Sequence, residues 1–437
     1  MSVRIGLLLF SLFFLAACAK DTVTGLFPES NSQNNNGQSD SPNDPSTHDA
    51  DDCSSTSLVQ NRFIVHWVDG HVSVETSENA ALFKEKFIRP RLEQIQHVEF
   101  DKVVHLHDAT TAPAPTTGNS WGQIMTQAAA AWNQQVSGQN VLVGVVDAAV
   151  DYTHPQIQPR LAQNLAEING RAGIDDDANG FIDDFYGWDF EQNKNDPTAL
   201  IYPLPATGST KEPNSHGTHV SGIIAGDSTK GIMQGLAPLA SIVPANFMDS
   251  NGSGSLGAAI QAIQYVSSRG VKVINASWGG PVCSETLRSV IQGLAAKNIL
   301  FVAASGNDGA DLDSTPDYPA NFNFPNQINV AASNANDFLT SWSNTSFEFV
   351  HLGAPGDSIY STVPGNSYAF MSGTSMAAPF VTGTAALLWS FRPKATYAQI
   401  RQAILAGTDS KNFRVQTGGR LNISNSISAL KQILPNP

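Results

Sequence analysis

The chain has 437 residues, of which 41% are hydrophobic and 14% charged, and it carries a net charge of −14. The apolar fraction suffices for one large core with appendages. The acidic balance excludes a phosphate-backbone binder, which needs a basic surface, so nucleic acid is not an expected partner.

The chain opens Met1-Ser2-Val3-Arg4, continues through an apolar run from Ile5 to Phe14, and reaches Leu15-Ala16-Ala17-Cys18. A basic start, a hydrophobic stretch too short to span a bilayer and small residues before a cysteine make an export signal. The pattern resembles a bacterial lipoprotein signal, which implies removal of residues 1–17 and a lipid on Cys18; a plain secretory signal with an incidental cysteine is the alternative. By the same resemblance, Ala19 in place of an aspartate implies an outer-membrane or cell-surface destination. Cys53 and Cys283 are then left, enough for one disulfide or for two separate thiols.

Residues 18–57 read as a flexible polar tether, because Glu29 to Ser57 is rich in Asn, Ser, Gln, Asp and Pro and cannot bury enough surface to offset chain entropy. Residues 58–110 change character. Arg62 to Val68 alternates as a strand, Asn79 to Phe87 has a helical pattern, and Val98 to Leu106 is strand-like again, giving a small α+β region. Residues 111–120, part of a polar run with Pro113 and Pro115, read as an exposed linker where the chain would be cut.

From Trp121 to the end, residues 121–437, apolar strands alternate with helices. Val141 to Val146, Val271 to Asn275 and Ile299 to Ala303 read as buried strands; Gly217 to Ala225, Ser255 to Ser268 and Ser375 to Trp389 read as helices. This predicts an α/β fold with a mostly parallel central sheet covered by helices on both faces.

Three separated segments each place a reactive side chain where an element begins or ends. Val-Gly-Val-Val-Asp147 sets an acid at the carboxyl end of a strand, the edge where open α/β sheets hold their sites. Asn-Ser-His216-Gly-Thr-His sets a histidine at a helix start, and Ser-Gly-Thr-Ser375-Met-Ala-Ala-Pro sets a serine at another. A serine hydroxyl is a poor nucleophile at neutral pH and needs a base to take its proton. In their order Asp, His, Ser these motifs resemble the subtilisin-type serine proteases, over roughly Trp121 to Leu430.

The resemblance implies an endopeptidase acting on polypeptides through an acyl-enzyme. Ser375 would be the nucleophile, His216 the general base and acid, and Asp147 the group that orients the imidazole. Asn307, in Val-Ala-Ala-Ser-Gly-Asn, would donate to the oxyanion together with the Ser375 amide. Gly252, Ser253 and Gly254 would line one side of an extended substrate, and Ser277, Trp278 and Gly279 the other. Ala304, Ser305 and Gly306, with Ser277 and Gly279, would line a primary pocket open to a large side chain. Trp278 stands where a leucine is usual, either reshaping the adjoining subsite or filling the core. The α+β region resembles the propeptide that assists folding and inhibits the enzyme until cleaved. Tyr318-Pro319 resembles a family position with a cis peptide bond.

Asp175-Asp-Asp177-Ala-Asn179-Gly180-Phe-Ile-Asp183-Asp184 spaces oxygen donors ahead of a glycine turn, as calcium loops do, although Tyr186 stands where a bidentate glutamate would. These five donors are the expected ligands of a structural calcium; no cofactor is expected for the chemistry, and a monomer is expected. One departure concerns the acid. The family has Ser or Thr and then Gly after it, whereas Ala148 and Ala149 follow Asp147, removing a hydroxyl that would help hold the carboxylate. Two other classes compete. One is an inactive relative serving as a cell-surface binding module, supported by Ala148. The other is a metal hydrolase with His216 and His219 as ligands, which lacks a third ligand and a nearby glutamate.

Overall fold

The computed structural model describes residues 58–107, 110–111, 119–196 and 213–435. Cys18, Cys53, the export signal, the whole tether and most of the linker lie outside the described residues. The chain divides into two compact units, with the boundary between Asp101 and Lys102.

The small unit is α+β. Strands β1 (Leu58–Trp67) and β2 (Val72–Thr76) pair antiparallel, with Phe63 opposite Glu75 and Val65 opposite Ser73, and β3 (Ile95–Leu106) runs beside β1. Alternation turns Phe63 and Val65 inward, where they pack with Phe83, Ile88, Ile95 and Val98; the Phe63 and Phe83 rings stack at 4.1 Å. The helix expected over Asn79 to Phe87 is broken into shorter pieces. Asn79 Oδ1 caps Ala80–Phe83 by accepting from Leu82 N at 2.9 Å, after which Lys84–Ile88 widens into a π turn and Arg89–Arg91 tightens into a 3₁₀ turn. Pro90 explains the ending, since it has no N–H to continue the ladder.

The large unit is built on a nine-stranded sheet. In chain order its strands are β5 (Leu142–Asp147), β6 (Trp188–Asp189), β7 (Ser241–Asn246), β9 (Val273–Ala276), β11 (Leu300–Ala304), β12 (Gln327–Ser333), β13 (Leu352–Pro355), β16 (Asp409–Ser410) and β17 (Gly419–Arg420). Across the sheet they lie in the order β16-β17-β13-β12-β11-β9-β5-β7-β6, and every pairing but β16 with β17 is parallel. Strands β9, β11 and β12 are buried at every residue. Burial on both faces is why β11, Leu-Phe-Val-Ala-Ala, reads as a continuous apolar run instead of an alternating one.

Helix α1 (Pro213–Ala225), α2 (Leu256–Ser268), α3 (Glu285–Gly293), α4 (Thr374–Phe391), α5 (Tyr397–Ala406) and α6 (Ile423–Ile433) flank the sheet. Helix α4 is buried from Thr374 to Trp389, and its small residues let it lie against β9, β11, β12 and β13. The mostly parallel α/β architecture expected from the sequence is the one observed. Short strands β4 (Thr110–Thr111), β8 (Ser253–Ser255), β10 (Trp278–Gly279), β14 (Ile359–Val363) and β15 (Ser367–Ser372) lie outside the main sheet.

Candidate active site

Asp147 ends β5 at the carboxyl edge of the sheet, and His216 sits in the first turns of α1. Their side chains meet: His216 Nδ1 lies 2.7 Å from Asp147 Oδ1, with both residues buried. Two features set that approach. Gly217 packs against the Ala148 carbonyl so closely that any Cβ there would collide with it. Thr218 then ties the two segments, its hydroxyl accepting from Asp151 N at 2.9 Å while its carbonyl accepts from Thr362 Oγ1 at 2.8 Å. The Ala148 amide donates to Asp147 Oδ1 at 2.7 Å, whereas Asp147 Oδ2 is buried with no hydrogen-bond partner among the described residues.

Ser375 is the second residue of α4, so its amide is one of the donors a helix leaves unpaired in its first turn. Its carbonyl has an unusual fate. Pro379, four residues on, has no N–H to offer it, and Ser277 Oγ donates to that carbonyl instead, at 2.9 Å. A buried chain supports the contact: Asn275 Nδ2 donates to Ser277 Oγ at 2.9 Å, and Thr382 Oγ1 donates to Asn275 Oδ1 at 2.9 Å. Ser375 Oγ itself donates to Ser277 O at 3.0 Å and to His107 O at 3.3 Å. His216 Nε2 has no hydrogen-bond partner among the described residues.

Asn307 is anchored by its oxygen. Thr374 N and Thr374 Oγ1 both donate to Asn307 Oδ1 at 2.8 Å, which directs the amide NH₂ away from Thr374. Gly306 N donates to Thr374 Oγ1 at 3.1 Å, joining the loop after β11 to the start of α4.

A strand already lies where a substrate was expected. Within the large unit, residues 102–106 of β3 run antiparallel to β8 on one side and β10 on the other. Val104 faces Gly254, His105 faces Ser253 and Gly279, Leu106 faces Trp278, and Leu106 N donates to Gly252 O at 2.9 Å. Gly252, Ser253, Gly254, Trp278 and Gly279 therefore border one groove. Past His107 the chain is held again, with Thr110 opposite Ser372 and Thr111 opposite Met371. Residues 58–110 were expected as one region, whereas this tail belongs with the large unit. Its only signal was the strand pattern running on to Leu106.

The pocket beside His107 contains Gly279, Gly306 and a residue not anticipated, Asp317, whose Oδ1 is 3.1 Å from His107 Nε2. Ser305 is buried, its hydroxyl donating to Asn344 O at 2.9 Å, and Ala304 is buried at the end of β11. Of the two readings of Trp278, the core one describes the ring. It donates to Val146 O at 3.0 Å and packs edge-on against Phe247, leaving its backbone to border the groove. The Tyr318–Pro319 bond is cis.

His219 is no metal ligand candidate here. Its Nε2 lies 3.0 Å from Ile359 O and 3.2 Å from Ala369 O, and burial drives its pKa down to about 3, so the ring is neutral. Cys283 is buried and has no disulfide partner among the described residues.

The acidic loop is arranged differently from the spacing. Among the described residues, the carboxylates close enough to share a cation are Glu167, Asp175 and Asp177, with oxygens within 4.8 Å of one another. Glu167, from the helical turn Leu165–Ile168, was not anticipated; it lies well before the acidic run in sequence. Asp184 is corrected to an ion-pair role: Tyr265 OH donates to it at 2.7 Å, Arg269 Nη1 lies at 3.1 Å, and Asn164 Nδ2 donates at 2.6 Å. Asp183 Oδ2 accepts from Gly173 N at 2.8 Å, and Asn179 donates its side-chain amide to Asp177 and Asp184 at 3.2 and 3.1 Å. Asp183 is not one of the three carboxylates, and the Asn179 side-chain oxygen accepts from Phe181 N at 2.8 Å.

Residues 138–424 match the subtilase family. Subtilisin E of Bacillus subtilis (strain 168) is 33% identical over 311 residues, 71% of this chain and 69% of that protein. Subtilisin-like protease 1 of Plasmodium berghei (strain Anka) is 32% identical over 314 residues, 67% of this chain and 50% of that protein. The corresponding protein of Plasmodium falciparum (isolate 3D7) is 34% identical over 280 residues, and the aligned part is 39% of its length. The chain thus spans about half or less of the Plasmodium relatives it matches.

Proposed function

The chain belongs to the subtilase family of serine proteases, and from that premise we propose that it is a serine endopeptidase using Asp147, His216 and Ser375. Ser375 Oγ attacks the scissile carbonyl while His216 Nε2 takes its proton; the C–N bond then breaks as His216 returns the proton to the leaving amine. Water, deprotonated by the same nitrogen, releases the acyl group from Ser375. Asp147 holds Nδ1 and stabilises the imidazolium. The Ser375 amide and the Asn307 NH₂ receive the oxyanion, which the electropositive end of α4 also favours.

The observation that carries this reading is the tail laid as a strand between β8 and β10, with Ser375 Oγ donating to the His107 carbonyl. Main-chain pairing of that kind binds extended polypeptide with little dependence on most side chains. It also supports an inhibitory role for the N-terminal region before cleavage, since the tail fills the groove. Digestion of unfolded casein tests the activity: the wild type degrades it and Ser375→Ala does not, and equal digestion by both would refute the assignment.

We further read the protein as exported and anchored through a lipid on Cys18, at the outer membrane or cell surface. Palmitate incorporation that disappears in Cys18→Ala supports this; incorporation that persists contradicts it. The donor set of Glu167, Asp175 and Asp177, all oxygen, fits a hard cation, and we read it as the core of a structural calcium site. Calcium there would tie the Leu165–Ile168 turn to the acidic loop and takes no part in the chemistry.

A further inference from the structure

The pocket that receives the residue before the cut has an acid in its wall. His107 is that residue in the tail, because Ser375 Oγ donates to its carbonyl and the chain is gripped on both sides, by β8 and β10 before it and by β15 after it. Its ring is buried, with Nε2 3.1 Å from Asp317 Oδ1. Asp317 is itself held in place: its amide donates to Asn321 Oδ1 at 2.9 Å, and its carbonyl accepts from Asn321 N at 2.8 Å. Glycines form the neighbouring walls. A Cβ on Gly279 would collide with both Asp317 Oδ1 and His107 Nε2, and one on Gly306 would sit 3.4 Å from Asp317 Oδ2. Among the described residues no lysine or arginine lies within ion-pair distance of Asp317; the basic group facing it is His107.

We propose that Asp317 determines primary specificity, selecting substrates with a cationic side chain on the residue that supplies the scissile carbonyl, and that the His107–Asp108 bond is the chain's own first cleavage site. The inference rests on the endopeptidase reading and adds the substrate class to it. Once the tail leaves, Asp317 has no basic partner among the described residues. An apolar side chain entering the pocket buries the carboxylate unpaired, which is strongly unfavourable, while an imidazolium, ammonium or guanidinium pairs with it. A site built to pair with a polar group rejects analogues that lack one far more strongly than an apolar pocket rejects a missing methylene. Glycine at 279 and at 306 keeps side chains out of the space between Asp317 and the entering residue.

Two experiments test it. Fluorogenic peptides Val-His-Leu-Xaa, copying residues 104–106, are assayed with Xaa as His, Lys, Arg, Leu or Phe, using wild type, Asp317→Asn and Asp317→Gly. Wild type is expected to favour Lys or Arg over Leu by at least tenfold in kcat/KM, and Asp317→Gly to abolish or reverse that ratio. In the full chain, the earliest cleaved species should begin at Asp108. His107→Leu should slow its formation at least tenfold in the wild-type background but not in Asp317→Gly. Wild type that cleaves the Leu or Phe peptide as fast as the Lys peptide, an unchanged ratio in Asp317→Gly, or a first cut elsewhere overturns the inference while leaving the protease reading standing. A chain that cleaves no peptide and digests no protein overturns both.

Discussion

The Asp147 carboxylate has one oxygen held twice and one held by nothing among the described residues. Oδ1 accepts from Ala148 N and pairs with His216 Nδ1, each at 2.7 Å, whereas Oδ2 is buried without a partner. Ala148→Ser adds a hydroxyl one residue away. A net hydrogen bond to a charged group is worth about 1.5–3 kcal/mol, a ceiling of roughly 10- to 150-fold in rate at about 1.4 kcal/mol per decade. Only the part that strengthens as the imidazolium forms appears in the rate. The expected gain is therefore about three- to tenfold in kcat/KM, with KM nearly unchanged. Serine is preferred to threonine because Ala148 is only 3% exposed and extra atoms there would overpack the loop. Steady-state kinetics on one peptide, with a melting curve to verify folding, give the answer. An Ala148→Ser protein that melts like wild type and shows no gain refutes the argument that the missing hydroxyl limits the rate.

Three further predictions concern stability. His219 and His351 are both driven by burial to about 3, below the usual 6.5, so each is neutral when folded and protonates on unfolding. The unfolded chain then binds more protons between pH 3 and 6.5, so stability is full above 6.5 and falls as pH drops through that window, by about 1.4 kcal/mol per pH unit per histidine. Urea melts at pH 7 and 5 should show a shallower pH slope in His351→Asn, and an equal slope contradicts the assignment. Arg269→Met strips the buried Asp184 of its cation and should cost about 3–5 kcal/mol; a loss under 1 kcal/mol, about that of an exposed pair, would mean that the pair is solvated. Chelation should lower the wild-type melting temperature and leave Glu167→Gln unaffected, whereas an equal response in both argues against calcium at this group.

Much of the fold was legible because its strands are buried on both faces. Val141 to Val146 and Ile299 to Ala303 read as buried strands and are observed as Leu142–Asp147 and Leu300–Ala304, and helix α4 read from a run of small and apolar residues after Ser375. Asp147, His216, Ser375 and Asn307 each sit in a segment that stands out locally, so single-chain reading could propose them. The remaining site residues depend on topology. Asp317, in Thr-Pro-Asp-Tyr-Pro, reads as a turn residue, and only the return of that loop beside Gly279 makes it part of a pocket. Glu167 joins Asp175 and Asp177 because a helical turn comes back to the acidic loop, and Asp184 leaves that loop because Tyr265 and Arg269, some 80 positions away, claim its oxygens. The sequence left Trp278 as either a subsite wall or a core ring. It could not report that the ring would turn to Val146 while the backbone met the tail.

The central claim is that Ser375 is the nucleophile, and mapping a fluorophosphonate adduct tests it most directly. Mature protein treated with the probe, digested and sequenced by mass spectrometry should carry one adduct, on the hydroxyl of Ser375, with labelling lost in His216→Ala. An adduct on a different serine, or its absence from protein that still degrades casein, would contradict the account.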